Sequence, residues 1–295
     1  MSIALAQQNE QISSLEIRQL TPRIGAEILN VNLADLSAQA KEQINQALLR
    51  HRVLFFRGQS SLTVREHEDF ASIFGIAEAP PTIPPVSGSR FVLELDSRKG
   101  GRADAWHTDG AYTLRPDKVT VLRSLVVPAD CGDTLWANTV AAYDCLPVPL
   151  QRLADNLWVQ HSNDYDHTER QPAADSQLTA LRARIMRVEH PAVRLHPDTG
   201  ERSLLLGNSM KRFVGFTRSE TEILYQLLQN YVTRAENVVR WRWREGDFVV
   251  WDNRATQHMA INDYGDQLRV MQRVTVRGDV AQAIDGVATG RLLDY

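Results

Sequence analysis

Phe248-Val-Val-Trp-Asp-Asn-Arg-Ala-Thr-Gln-His-Met-Ala-Ile-Asn-Asp-Tyr-Gly-Asp-Gln-Leu-Arg-Val-Met-Gln-Arg273 is the stretch from which the chain is read. Phe248 to Trp251 is a short apolar run. Leu268 to Val276 alternates, and a strand turns successive side chains to opposite faces. Arg269, Met271, Arg273 and Thr275 then share one face, and Leu268, Val270, Gln272 and Val274 the other. The first face carries two arginines roughly 13 Å apart at about 3.3 Å per residue. Just upstream, Val238 to Trp243 also alternates, with Trp241 and Trp243 packed opposite Arg240, Arg242 and Arg244, and Arg244 to Asp247 turns. The C-terminal third is β-rich.

Working outward, Leu15 to Val31 reads as short strands around a turn at Gly25. Ser37 caps a helix to about Arg50 with Ile44, Leu48 and Leu49 on its apolar face. Val53 to Arg57 is a buried strand, and Thr63-Val-Arg-Glu66 is a capping box for a helix that buries Phe70, Ile73 and Phe74. Residues 79–89 form a proline-rich loop, Phe91 to Leu95 a strand, Ser97 to Asp104 a polar loop, Val119 to Val127 and Thr134 to Trp136 strands. Helical pieces broken at Pro147 and Pro149 follow. Val193 to Leu206 forms a hairpin across Pro197-Asp-Thr-Gly200, and Ser219 to Arg234 a helix with Ile223, Leu227 and Leu228 inward. Many short strands with a few helices point to a β-sandwich or barrel dressed with helices. Residues 1–13 are expected to be a flexible N-terminus, 14–295 one domain, and the charged stretch 166–185 a lid insertion.

The 295 residues, 43% hydrophobic, suffice for a full core, and a net charge of -3 gives no reason to expect nucleic acid or an anionic membrane as partner. No apolar run approaches the roughly 20 residues of a membrane span. Cys131 and Cys145 make no disulfide framework, and no signal peptide is visible, so a cytoplasmic setting is expected.

The chain contains three His-x-Asp pairs: His67/Asp69, His107/Asp109 and His196/Asp198. The first falls in a predicted helix, where positions i and i+2 diverge and cannot chelate together. The third begins a turn that would use its carboxylate locally. His107/Asp109 follows a loop on extended backbone, which turns both side chains to one side. Adding the distant His258 gives two imidazoles and a carboxylate, the set of a non-haem Fe(II) oxygenase, with three coordination sites left open. Beside a metal, Arg269 and Arg273 become anion receptors. The bland alternative is a surface histidine, a turn-forming aspartate and solvated arginines. His161 is either a pocket residue or a strand cap, and Lys211 with Arg212 is read as a solvated pair.

Trp106-His-Thr-Asp109, Gly132-Asp-Thr-Leu-Trp136, Trp251-Asp-Asn-Arg-Ala-Thr-Gln-His258 and the Arg269/Arg273 spacing resemble the taurine/2,4-D dioxygenase family of Fe(II)- and 2-oxoglutarate-dependent oxygenases, over about Leu15 to Asp279. Asn156-Leu-Trp158, His161-Ser-Asn-Asp-Tyr165 and the segment His190 to Arg202 resemble its alkyl-sulfate dioxygenases. The resemblance implies a double-stranded β-helix (jelly roll) with outer helices, and Fe(II) on His107, Asp109 and His258. It implies that Thr134 and Arg269 hold 2-oxoglutarate, that Arg273 holds the anionic group of a small substrate, that O2 is consumed, and that the chain forms a homodimer or homotetramer. Gly110, Tyr112, His167 and Met210 fall at its substrate pocket, where the chain departs from the family: Pro80 stands where a histidine is usual, and Gly110-Ala111-Tyr112 replaces a bulkier wall. Two alternatives stay open, the same chemistry on a carboxylate-bearing amino-acid derivative or biosynthetic intermediate, and a non-catalytic metal-binding jelly roll.

Overall fold

The computed structural model describes residues 15–79, 84–100, 102–164 and 185–289. Its centre is a jelly roll of two facing sheets. The larger has strand order β1-β2-β3-β14-β6-β16-β4, with β5 also paired to β16. Its strands are β1 (Glu16–Gln19), β2 (Ala26–Leu29), β3 (Val53–Phe56), β4 (Ala77–Glu78), β5 (Leu93–Asp96), β6 (Val119–Val126), β14 (Phe248–Asp252) and β16 (Val270–Val276). The smaller sheet runs β13-β7-β15, from Val238–Trp241, Thr134–Asn138 and Thr256–Ala260. Helices α1 (Ala38–His51) and α2 (Val64–Ser72) cover the outside of the larger sheet.

Strand alternation decides what each layer holds. Val53, Phe55, Val249, Trp251, Leu122 and Met271 point inward and pack against Trp136 and Trp241 of the smaller sheet. Leu54, Phe56, Phe248, Val250, Val274 and Val276 point outward against Ile44, Leu48, Phe70 and Phe74 of the helical layer. Both helices start as expected, from the Ser37 cap and from the Thr63–Glu66 capping box. Each such cap satisfies donors that the first turn leaves unpaired.

A third cluster joins α3 (Thr139–Asp144), α5 (Arg218–Val232) and β8 (Trp158–Ser162) to the hairpin of β10 (Val193–Leu195) and β11 (Arg202–Leu204). β8 lies between β9 (Arg187–Pro191) and β12 (Met210–Phe213). Three expectations are corrected. Pro149 breaks nothing: it sits in the first turn of α4 (Val148–Ala154), where a missing N–H costs nothing. Ile223 and Leu227 face outward, 67% and 38% exposed, and α5 buries Thr221, Leu228, Gln229 and Val232 instead. The strand expected from Phe91 starts at Leu93. Among the described residues no helix is long and apolar enough to cross a membrane. The expected lid 166–185 falls, but for Ile185, outside the described residues, as do His167 and Pro80.

Candidate metal centre and anion pocket

His107 joins the free edge of β15 through one isolated bridge to His258. His107 N donates to His258 O at 3.0 Å and His258 N to His107 O at 2.8 Å. Residues paired this way turn their side chains to the same side. Two residues on, Asp109 reaches between the sheets. Its Oδ1 lies 3.7 Å from His107 Nε2 and 3.8 Å from His258 Nε2. The three ligand atoms lie within 4.8 Å of one another, the one such group of three or more among the described residues.

Hydrogen bonds prepare these atoms for a cation. His107 Nδ1 lies 2.8 Å from Ala105 O. A carbonyl only accepts, so Nδ1 carries the proton and Nε2 keeps its lone pair. Asp109 is held by a closed ring. Its N–H donates to Asn253 Oδ1 at 3.3 Å, Asn253 Nδ2 to Thr120 Oγ1 at 2.9 Å, and Thr120 Oγ1 to Asp109 Oδ2 at 2.8 Å. Burial pushes the Asp109 carboxyl up, but His258, Arg273, His107 and the Thr120 bond outweigh it and hold it well below the usual range. Burial and the neighbouring His107 lower His258 to about 3, which keeps its imidazole neutral. Two imidazole nitrogens and an ionised carboxylate converging on one point fit Fe(II).

Arg273 Nη1 lies 3.4 Å from Asp109 Oδ1, so this arginine adjoins the triad. Arg269 lies at the head of the same strand, with Gly132 against it: a Cβ at Gly132 would stand 3.3 Å from Arg269 Cδ. Its Nε is buried without a hydrogen-bond partner, and burial lowers its pKa with only Tyr264 opposing. A deeply set cation lacking a carboxylate partner is a receptor for an external anion. Thr134, two residues past Gly132, is buried and accepts from Trp243 Nε1 at 2.9 Å, which leaves its own O–H to donate.

Gly110 takes φ +65°, in the left-handed region that suits glycine. Ala111 is fully buried against Leu205 and Ala281, Tyr112 is half-buried beside it, and Met210 packs with Trp106 on the third core cluster. Asp117, which no motif singles out, folds over Gly110. Its carboxyl is pushed up to about 8 by burial, then by Asp109 and Glu78, against the pull of Arg273. Asn253 and Thr120 were likewise missed. The Trp251-Asp-Asn253 run is a signal for Asn253 alone, and Thr120 carries none.

The remaining candidates are structural. His67 is buried in α2 and Asp69 pairs with Arg65. Asp198 is not used within its turn: it meets Arg254 at 2.9 Å, which also grips Asp252, and Asp252 meets His196 Nε2 at 2.9 Å. His161 is fully buried with Ser209 at Nδ1, and Lys211 is not a solvated group, since its Nζ donates to the Asp164 carbonyl. Cys131 and Cys145 are free thiols.

A profile of the taurine catabolism dioxygenase TauD, TfdA family matches residues 16–275. An alpha-ketoglutarate-dependent sulfate ester dioxygenase of Pseudomonas putida is 48% identical, with 92% of each chain covered. An alkylsulfatase of Acinetobacter baylyi is 47% identical, with 92% of this chain and 88% of the other covered. A taurine dioxygenase of Burkholderia xenovorans, solved as a crystal structure, superposes with a TM-score of 0.82 at 35% identity, covering 96% of each chain.

Proposed function

The chain belongs to the taurine catabolism dioxygenase TauD, TfdA family, and we propose that it oxidises a small alkyl sulfate ester at the carbon bearing the sulfate. It is a 2-oxoglutarate-dependent non-haem iron dioxygenase. His107, Asp109 and His258 would hold Fe(II), whose chemistry when bound is to activate O2, coupling decarboxylation of 2-oxoglutarate to hydroxylation of a C–H bond. Arg269 and Thr134 receive the far carboxylate of 2-oxoglutarate, and Arg273 receives the sulfate. O2 takes two electrons from 2-oxoglutarate, giving succinate and CO2, and two from the C–H bond. The hydroxylated ester R–CH(OH)–OSO3⁻ then parts into an aldehyde and hydrogen sulfate. What the protein contributes is placement, and about 1 Å of error there can cost two orders of magnitude.

The observation that carries the substrate reading is Arg273 beside the triad, in a chain nearly half identical to a sulfate ester dioxygenase. Succinate formation with Fe(II), 2-oxoglutarate, O2 and a panel of alkyl sulfates, sulfonates and N-substituted amino acids tests it. Stimulation by alkyl sulfates that is lost in His107→Ala is expected. Stimulation by the amino acids alone would transfer the chemistry to a carboxylate substrate. Within the same reading the enzyme works in the cytoplasm, in keeping with its free thiols, and as a homodimer or homotetramer, for which the outward Ile223 and Leu227 of α5 speak.

A further inference from the structure

The Asp109 carboxylate is fixed by its own ring through Asn253 and Thr120, but the loop 110–113 that follows needs an anchor of its own. Its internal bonds are local. Thr113 N and Thr113 Oγ1 both donate to Gly110 O at 2.8 Å, which shapes the turn without fixing where it stands. His190 anchors it from 77 residues away. This histidine stands on β9, opposite Val159 of β8, and is fully buried. Its Nε2 lies 3.0 Å from Thr113 O, and the Ala111 carbonyl faces the ring as well. Carbonyls only accept, so Nε2 carries the proton and donates.

The other ring nitrogen meets a different part of the chain. His190 Nδ1 lies 2.7 Å from Thr289 Oγ1. Burial, helped by Arg194, lowers His190 to about 4, so the ring holds one proton and Nδ1 is left to accept from the hydroxyl. Thr289 closes a small hairpin, 281–289. Its N–H donates to Ala281 O at 2.8 Å, its hydroxyl lies 3.0 Å from the same carbonyl, and Gln282 bridges Ala288. Gln282 O accepts from Leu195 N of β10 at 2.9 Å, and Ala281 packs on Ala111 and Leu205. The hairpin therefore meets the loop twice, by Ala281 against Ala111 and through His190 to Thr113. Leaving a buried carbonyl or ring nitrogen without its partner is unfavourable, so the three segments keep a fixed spacing.

We infer that His190 is a positioning residue for the reaction: with Thr289 it braces the loop 110–113 against β9 and so sets the wall that holds the substrate beside the metal ligands. It acts through Thr113 and Ala111 and touches neither metal nor ligand. The Asp109 carboxylate has its separate support, so the brace governs substrate affinity and the coupling of 2-oxoglutarate use to hydroxylation, not metal binding. A wall out of place lets the substrate sit off the reacting position, where roughly 1 Å costs two orders of magnitude. This rests on the reading of Gly110 and Tyr112 as substrate wall and of an alkyl sulfate as substrate.

The test compares the wild type with His190→Leu, His190→Gln and Thr289→Val. Anaerobic calorimetry with Mn(II) gives the affinities for metal, 2-oxoglutarate and hexyl sulfate without turnover, and the ratio of aldehyde to succinate under O2 with Fe(II) gives the coupling. His190→Leu is expected to bind metal and 2-oxoglutarate as the wild type does, to bind hexyl sulfate about tenfold more weakly, and to release succinate in excess of aldehyde. His190→Gln, which can still donate toward Thr113 O, should recover most of both losses. Thr289→Val should show the same defect in milder form, and decides the matter should His190→Leu misfold. Hydrogen exchange supplies a readout free of any ligand: the amides of 110–113 should exchange faster in His190→Leu, with those of β15 unchanged. Wild-type sulfate affinity and coupling in the folded variants would overturn the inference, and so would an equal loss of metal affinity, which would make His190 a support of the fold alone. Should no alkyl sulfate bind the wild type, the sulfate-ester reading fails, and loop exchange unchanged by His190→Leu would then overturn the brace separately.

Discussion

Thr120 Oγ1 donates to Asp109 Oδ2 at 2.8 Å, and Oδ1 is the oxygen that faces His107, His258 and Arg273. One oxygen of the carboxylate is fixed so that the other can act as a metal ligand. Partners of this kind typically contribute 10–100-fold to metal affinity. Thr120→Val keeps the shape and removes the donor, so Mn(II) or anaerobic Fe(II) titration should show affinity reduced about 10–100-fold. Thr120→Ser, which keeps the hydroxyl, should restore most of it. Equal affinity in all three proteins would mean that the ring through Asn253 orients Asp109 without the hydroxyl.

Arg269 should separate function from stability. Its burial, with no carboxylate partner among the described residues, is unfavourable in the ligand-free chain. Arg269→Met is therefore expected to unfold at the same temperature as the wild type or higher. A ligand stabilises only what binds it, so 2-oxoglutarate should raise the Tm of the wild type and leave that of Arg269→Met unmoved. A variant that loses stability and still responds to 2-oxoglutarate would refute this assignment.

Local signals were the legible ones. The Thr63 capping box, the alternation of β16 and the His107/Asp109 spacing depend on neighbours a few residues away, and the structure keeps each. What sequence could not give is which face of an element meets the core. On α5, Gln229 lies inward because Gln257, next to His258, accepts from its amide at 2.7 Å, and this rotates Ile223 to the outside. Asp117 was invisible for a similar reason, since its place depends on the missing side chain of Gly110, seven residues earlier.

The outward face of α5 makes a prediction about assembly. Ile223 and Leu227 lie one turn apart, a pair that a partner helix can cover. The double variant Ile223→Asp, Leu227→Asp should sediment as a smaller species than the wild type while keeping its helical circular dichroism. An unchanged sedimentation coefficient would free this face from any role between subunits.

His67 predicts an acid-side weakness unrelated to the metal. Its Nε2 lies 3.3 Å from Val121 O, its ring stands edge-on to Phe248, and its Nδ1 is buried without a partner. Burial chiefly, helped by the charge of Arg123, lowers its pKa from 6.5 to about 3. The folded value lies below the unfolded one, so between 6.5 and about 3 only the unfolded chain takes up this proton. The stability contribution is complete above pH 6.5 and is lost as the pH falls through that window. Well inside it the slope is about 1.4 kcal/mol per pH unit. Urea unfolding of the wild type and His67→Leu at pH 7.5, 5.5 and 4.5 should show the gap between them shift in favour of the variant by about that slope, because every other titrating group is common to both. A gap independent of pH would mean that His67 takes up its proton equally in the folded and unfolded chains.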